Sequence, residues 1–224
     1  MDNKELLSKV EHTLLKPEST SEDIIRTISE ASEWGCKGAC IPPVFAEEAL
    51  KYRETFAPDT LLVSVAGFPF GYHSDRVIWS EIRELASLGI DEIDVVGPTY
   101  LIKSGRWDET AKKIHLFREA ADGVVLKLIM ETGLLSEEEL RRYCKIAADY
   151  GIDYAKTSSG YAGQGATAEA VRIMRDALPD TVKIKASGGI RSREEMLTLL
   201  DAGADVLGMS RAGEALGLGE EPES

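Results

Sequence analysis

The chain has 224 residues, 43% hydrophobic and 29% charged, the balance of one soluble globular domain large enough to bury a substantial core. Its formal net charge of −13 argues against a nucleic-acid partner or an anionic membrane surface. No apolar run approaches the length of a membrane span, and Cys36, Cys40 and Cys144 are too few, and odd in number, for a disulfide framework. The opening residues Met1-Asp2-Asn3-Lys4-Glu5 lack the basic-then-apolar order of a secretion signal, so a cytoplasmic location is expected.

Behind a short N-terminal helix, the first strand is expected near His12–Leu15. A helical stripe of Ile24, Ile25, Ile28 and Ala31 then stops at Gly35, before an apolar run at Gly38–Ile41. A strand at Leu61–Ala66 follows. The stripe Ile78, Ile82, Leu85 and Ala86 stops at Gly89, ahead of Glu92–Val96, and a further strand is expected at Val124–Met130. Ser136 and Glu139 have capping-box spacing and open a helix with Leu140, Tyr143, Cys144 and Ala147 on one face. It ends at Gly151, before Asp153–Thr157. After Val182–Ala186 the pattern repeats: Ser192 and Glu195 open a helix that stops at Gly203, before Asp205–Gly208. Glycine just past a helix takes the left-handed conformation without steric cost.

Eight strands alternating with helices in this length predict a closed (β/α)₈ TIM barrel spanning residues 1–216 as a single domain. The rival, a doubly wound open sheet, would carry a glycine fingerprint after its first strand, and none is present. Residues 217–224 are expected to form a mobile acidic tail.

In such a barrel the strand C-termini and the loops after them build the active site. That rule selects Asp94, Lys127, Lys156 and Lys185, with the loops Ser187-Gly188-Gly189 and Gly208–Arg211. The last two loops suit a phosphate, because glycine lets main-chain N–H groups approach an anion closely. Two lysines on neighbouring strands suit amine chemistry. An isolated lysine is neutral in only about 1 molecule in 2,500 at pH 7. A second cation at ~4 Å, costing roughly 4 kcal/mol at an effective dielectric of 20, would lower its pKa by about 3 units. Mutual repulsion is therefore expected to free the Lys156 amine.

The segments His12-Thr13-Leu14-Leu15-Lys16-Pro17, Gly67-Phe68-Pro69-Phe70-Gly71, Glu92–Val96, Lys156-Thr157-Ser158-Ser159-Gly160 and Lys185-Ala186-Ser187-Gly188-Gly189-Ile190-Arg191 together resemble the deoxyribose-phosphate aldolases. The resemblance runs from residue 11 to about residue 211. It implies a class I, Schiff-base lyase that reversibly cleaves 2-deoxy-D-ribose 5-phosphate to D-glyceraldehyde 3-phosphate and acetaldehyde, with no cofactor and no metal. It implies that Lys156 forms the Schiff base, that Lys185 perturbs it and that Asp94 helps to move protons. Gly188 and Gly189 match part of the phosphate cradle. Gly160, Ser187, Gly208 and Ser210 are taken with them as substrate-binding positions, and a homo-oligomer, dimer or tetramer, is expected.

The chain departs from the family pattern at three places. Glu11 stands where aspartate is usual, Pro42-Pro43 where asparagine-proline is common, and the last loop, Gly208–Gly213, follows the pattern only roughly. A related class I aldolase on another sugar phosphate, or a non-catalytic phosphosugar-binding barrel, are the alternatives. His12, His73 and His115 are scattered without zinc-ligand spacing. Lys127 is expected to pair with Asp94 or Glu131, Lys183 to lie toward the other end of the barrel, and Cys144 to be core. Cys40 is read as a small apolar residue, His73 as a solvated loop residue, and Arg211 as meeting either phosphate or a nearby carboxylate.

Overall fold

A computed structural model describes residues 1–218. Eight parallel strands, each paired to the next and the last to the first, close into a barrel: β1 (Val10–Thr13), β2 (Gly38–Ile41), β3 (Leu61–Ala66), β4 (Glu92–Val96), β5 (Val125–Ile129), β6 (Tyr154–Lys156), β7 (Lys183–Ser187) and β8 (Val206–Met209). The helices are α1 (Asn3–Leu7), α2 (Ser21–Trp34), α3 (Ala46–Phe56), α4 (Asp75–Leu88), α5 (Thr99–Lys103), α6 (Trp107–Ala120), α7 (Glu137–Asp149), α8 (Ala168–Ala177), α9 (Arg193–Asp201) and α10 (Ala212–Leu216). Short α1 precedes β1, where Leu6 and Leu7 are buried.

The helix boundaries have local causes. Ser136 and Ser192 accept from the N–H groups of Glu139 and Glu195, whose carboxylates reach back to the caps. Gly35 and Gly89 end α2 and α4 at φ 71° and 93°, the left-handed region. At the C-terminus, Gly217 and Leu218 close α10, the Leu218 N–H donating to the Gly213 carbonyl. The other residues of the expected tail, 219–224, lie outside the described residues.

Strand alternation divides the side chains into two populations. Ala39, Ile41, Leu62, Ile93, Val95, Leu126, Leu128, Ala155, Ile184, Ala186 and Leu207 belong to the apolar core that meets the helices. The inward set is different. Cys40, Val63 and Val65 form a small apolar group, and beside them stand Glu11, Glu92, Asp94, Lys127, Lys156 and Lys185, all buried. The barrel interior is therefore largely ionic, and the strand register decides which charges meet.

Five strands differ from their sequence positions: β1, β7 and β8 are displaced by one or two residues, and β5 and β6 are one residue shorter at each end. The first is the clearest: β1 runs Val10–Thr13, not His12–Leu15. Leu14 and Leu15 already belong to the mouth, and the shift places Glu11 inside the barrel, where it is fully buried.

Candidate active site

Parallel register sets Lys156 beside Lys185 and Asp94 beside Lys127 on paired strands. Asp94 then joins the two pairs across the barrel. Its Oδ2 accepts from Lys156 Nζ at 2.7 Å and from Lys185 Nζ at 2.7 Å, and its Oδ1 accepts from Lys127 Nζ at 2.9 Å. A second tier lies toward the strand N-termini. Lys127 also meets Glu92 at 2.6 Å and Glu11 at 3.3 Å, and half-buried Lys37 meets Glu92 at 2.6 Å and Glu11 at 3.0 Å. Lys185 also donates to Glu11 Oε2.

These contacts set opposite charge preferences on similar groups. Burial is the largest influence on Lys156 and lowers its pKa; the Lys185 charge lowers it further, and Asp94 only partly opposes them. Burial also acts to lower Lys185, but Asp94 and Glu11 outweigh it and hold that ammonium above its ordinary value. Burial would raise Asp94, yet Lys127, Lys156 and Lys185 keep the carboxyl well below the usual range. Removal from water therefore leads in freeing the Lys156 amine, with repulsion by Lys185 second, so repulsion is not the sole cause expected from sequence.

Above Lys156 a cleft of about 280 Å³ opens at the strand C-termini. It is lined by Lys156, Gly160, Ser187, Gly188, Gly189, Gly208 and Ser210, and so gathers the first lysine and every position read as substrate-binding. Lys185 and Asp94 lie beneath its floor, fully buried. A wider hollow of about 670 Å³, lined by α3 residues, Pro58 and Gly89, sits at the opposite end, where strands β3 and β4 begin.

Gly188 and Gly189 have φ of 92° and 80°, two successive left-handed residues that only glycine adopts readily. Among the described residues their N–H groups donate to no main-chain atom or side chain, which leaves two donors free at the cleft. Ser187 differs. Its N–H donates to Thr157 Oγ1 at 3.0 Å and its hydroxyl to the Ser158 carbonyl at 2.6 Å, so its donors tie two loops together. Gly208 has a second use, because a Cβ there would lie 2.8 Å from Lys185 Cε; the missing side chain is the space the lysine stem occupies.

Several cleft residues carry no distinctive sequence signal. Tyr161, in the loop after β6, donates through its hydroxyl to the Leu15 carbonyl at 2.9 Å and packs edge-on against Phe68, ring centroids 5.3 Å apart. It joins the loops that follow β1, β3 and β6. Gly165 lies so close to Gly188 that a Cβ would fall 2.1 Å from the Gly188 carbonyl oxygen. Lys16, exposed in the loop after β1, also lines the cleft; its place in the His-Thr-Leu-Leu-Lys-Pro segment was the available clue.

The remaining polar residues fall into place around this centre. Lys127 pairs with Asp94, whereas Glu131 accepts instead from the Ser159 N–H. Lys183 is exposed at the strand's start, His73 is exposed, Cys144 is core, and Arg211 meets Glu214. Cys40 faces into the barrel fully buried, and burial raises its thiol pKa. Pro42 and Pro43 lead into a 3₁₀ turn at the mouth.

Known proteins resemble this chain over nearly its whole length. The family model described as DeoC/LacD family aldolase matches residues 1–218. A deoxyribose-phosphate aldolase of Desulfitobacterium hafniense is 42% identical over 92% of this chain and 94% of its own, and one of Thermus thermophilus is 40% identical over 96% and 97%. Among solved structures, the deoxyribose phosphate aldolase of Aeropyrum pernix, described as a unique tetramer, superposes with a TM-score of 0.89 at 30% identity, covering 96% of this chain and 91% of its own. With a barrel of the same topology and matches of this extent, the chain belongs to the DeoC/LacD family of aldolases.

Proposed function

We propose that this protein cleaves 2-deoxy-D-ribose 5-phosphate reversibly to D-glyceraldehyde 3-phosphate and acetaldehyde through a Schiff base on Lys156. The observation that carries the reading is a single lysine, depressed by burial, at the floor of a cleft whose walls offer free N–H groups. The relatives' names supply the substrate.

The neutral Lys156 amine attacks the aldehyde carbon of the open-chain sugar, and loss of water gives the iminium. The iminium withdraws electrons as the C3 hydroxyl loses its proton and the C2–C3 bond breaks. Glyceraldehyde 3-phosphate leaves, and an enamine stays on Lys156. Protonation at C2 and hydrolysis release acetaldehyde and restore the amine. Asp94 Oδ2 lies between Lys156 and Lys185, so the Asp94–Lys185 pair exchanges protons at the nitrogen and, through water, at the sugar. The N–H groups of Gly188 and Gly189, with Gly160 and Ser210, hold the 5-phosphate at the cleft's far side. Ser187 and Gly208 support that cradle and Lys185, respectively.

Residues 1–216 act as one catalytic domain. Among the described residues no helix is long and apolar enough to cross a membrane, and the reaction fits the cytoplasm, where sugar phosphates occur. A homo-oligomer, dimer or tetramer, agrees with exposed Tyr72, Trp79 and Phe70, the last stacked on Tyr72 at 5.5 Å.

The test is borohydride trapping with deoxyribose 5-phosphate, followed by peptide mass mapping. A reduced adduct on Lys156 with acetaldehyde release is expected. An adduct without acetaldehyde would assign the site to another sugar phosphate, and no adduct in folded protein would overturn the Schiff-base reading.

A further inference from the structure

The ionic cluster inside the barrel contains more than a reacting lysine, its neighbour and one aspartate need. Its amines are Lys37, Lys127, Lys156 and Lys185, and its carboxylates are Glu11, Glu92 and Asp94. The groups are in excess by one amine, so the cluster is neutral when one lysine gives up its proton. Geometry selects which. Lys127 meets all three carboxylates, Lys37 meets Glu11 and Glu92, and Lys185 meets Asp94 and Glu11. Lys156 meets Asp94 alone.

Lys156 and Lys185 donate to the same Asp94 oxygen at the same 2.7 Å, so Asp94 does not distinguish them. The difference between them is Glu11, which touches Lys185 and not Lys156. We infer that Glu11 is a positioning residue that decides which lysine is the free amine: it fixes the proton on Lys185 and thereby leaves Lys156 unprotonated. This inference rests on the Schiff-base reading of Lys156. The extra methylene of Glu11, relative to aspartate, gives its carboxylate the reach to serve Lys37 and Lys127 through Oε1 while Oε2 takes Lys185.

The other groups facing the two lysines leave that role open to Glu11 alone. Strand β2 contributes buried Cys40, β3 only Val63 and Val65, and β8 Gly208. Strand β4 contributes Asp94 and, lower down, Glu92; β5 contributes Lys127; β6 adds Tyr154 below Lys156; and on β7 Lys183 lies exposed at the far rim. Glu92 is bound to Lys37 and Lys127, in the lower tier.

Turnover in this scheme needs Lys156 neutral and Lys185 charged, so the alkaline limb of kcat/KM reports loss of the Lys185 proton. In Glu11→Gln that limb should move to lower pH by about 1–3 units, the usual effect of removing an adjacent opposite charge. Glu11→Asp, which keeps the charge but sets it one methylene further back, should move the limb clearly less than Glu11→Gln does. Borohydride trapping should still label Lys156 in both. If Glu11→Gln leaves too many unpaired lysines to fold, the double variant Glu11→Gln/Lys37→Met removes one charge of each sign and should show the same shift. An unshifted limb in the folded Gln variant would overturn the inference, as would equal shifts in the Gln and Asp variants. Failure of wild-type trapping would instead count against the Schiff-base reading, so the two failures are distinguishable.

Discussion

Lys156 is held at a cost to the fold, and that cost has a sign. Its pKa is lowered on folding, so the unfolded chain binds the extra proton at pH values between the folded pKa and the ordinary 10.5. Folding is penalised below that window and the penalty is relieved as pH rises through it. Lys156→Met should therefore abolish adduct formation and turnover while stabilising the protein by about 1 kcal/mol, or roughly 2–4 °C in Tm for a domain of this size. It leaves Lys37, Lys127 and Lys185 matched to Glu11, Glu92 and Asp94. A clear fall in Tm would mean that Lys156 is charged in the fold and that Asp94 depends on it. Lys185→Leu makes the opposite change. Asp94 Oδ2 would then serve Lys156 alone, so the Lys156 pKa should rise, and the acid limb of borohydride trapping, which needs only the neutral amine, should move to higher pH even as turnover falls. A soluble Lys185→Leu variant with an unmoved acid limb would show that the Lys185 charge has no part in freeing the amine.

The elements themselves were legible wherever the signal is local. β2, β3 and β4 occupy the residues their apolar runs indicated, and the helix stops at Gly35 and Gly89 follow from backbone freedom that glycine alone supplies. β1 was misplaced because His12-Thr13-Leu14-Leu15 has strand-like composition on both sides of the true end, and only pairing with β2 and β8 fixes the register. Lys156, Lys185 and Asp94 could be chosen because charged side chains stand out in apolar strand runs, although only Lys156 ends its strand and the other two sit mid-strand. The loop after β6 could not be read beyond Gly160, since Tyr161 bonds to Leu15 far away in the chain and Gly165 is small because of Gly188. That close approach gives a test of the cradle. Gly165→Ala would push the loop after β6 away from Gly188 and misplace the phosphate donors. KM for deoxyribose 5-phosphate should rise about tenfold or more, the equivalent of ~1.4 kcal/mol, while turnover of unphosphorylated 2-deoxyribose stays near wild type. Equal losses on both sugars would show a general disturbance of the mouth and no special link to phosphate.

At the scale of the whole molecule, the barrel interior exchanges the usual branched apolar layers for ion pairs, and this couples stability to pH at both ends. Glu11 and Asp94 are held below their ordinary values of 4.5 and 3.8 by the lysines around them. Their contribution is fully present above those values and is lost as pH falls through and below them. Lys127 and Lys185 are held above their ordinary 10.5, so their contribution is complete below that pH and is lost only on further alkalinisation. Lys156 acts the other way, adding stability as pH rises toward 10.5. Denaturant unfolding should therefore give a stability that rises with pH from the neutral range to about pH 10 and falls steeply below about pH 4. Because the charges are buried, added salt should move the acid transition little, in contrast to one governed by surface pairs such as Arg106–Glu109. The alkaline rise should vanish in Lys156→Met and persist in a surface lysine variant such as Lys51→Met. If the rise survives Lys156→Met unchanged, another buried amine carries it, and the charge assignment across the cluster would have to be redrawn.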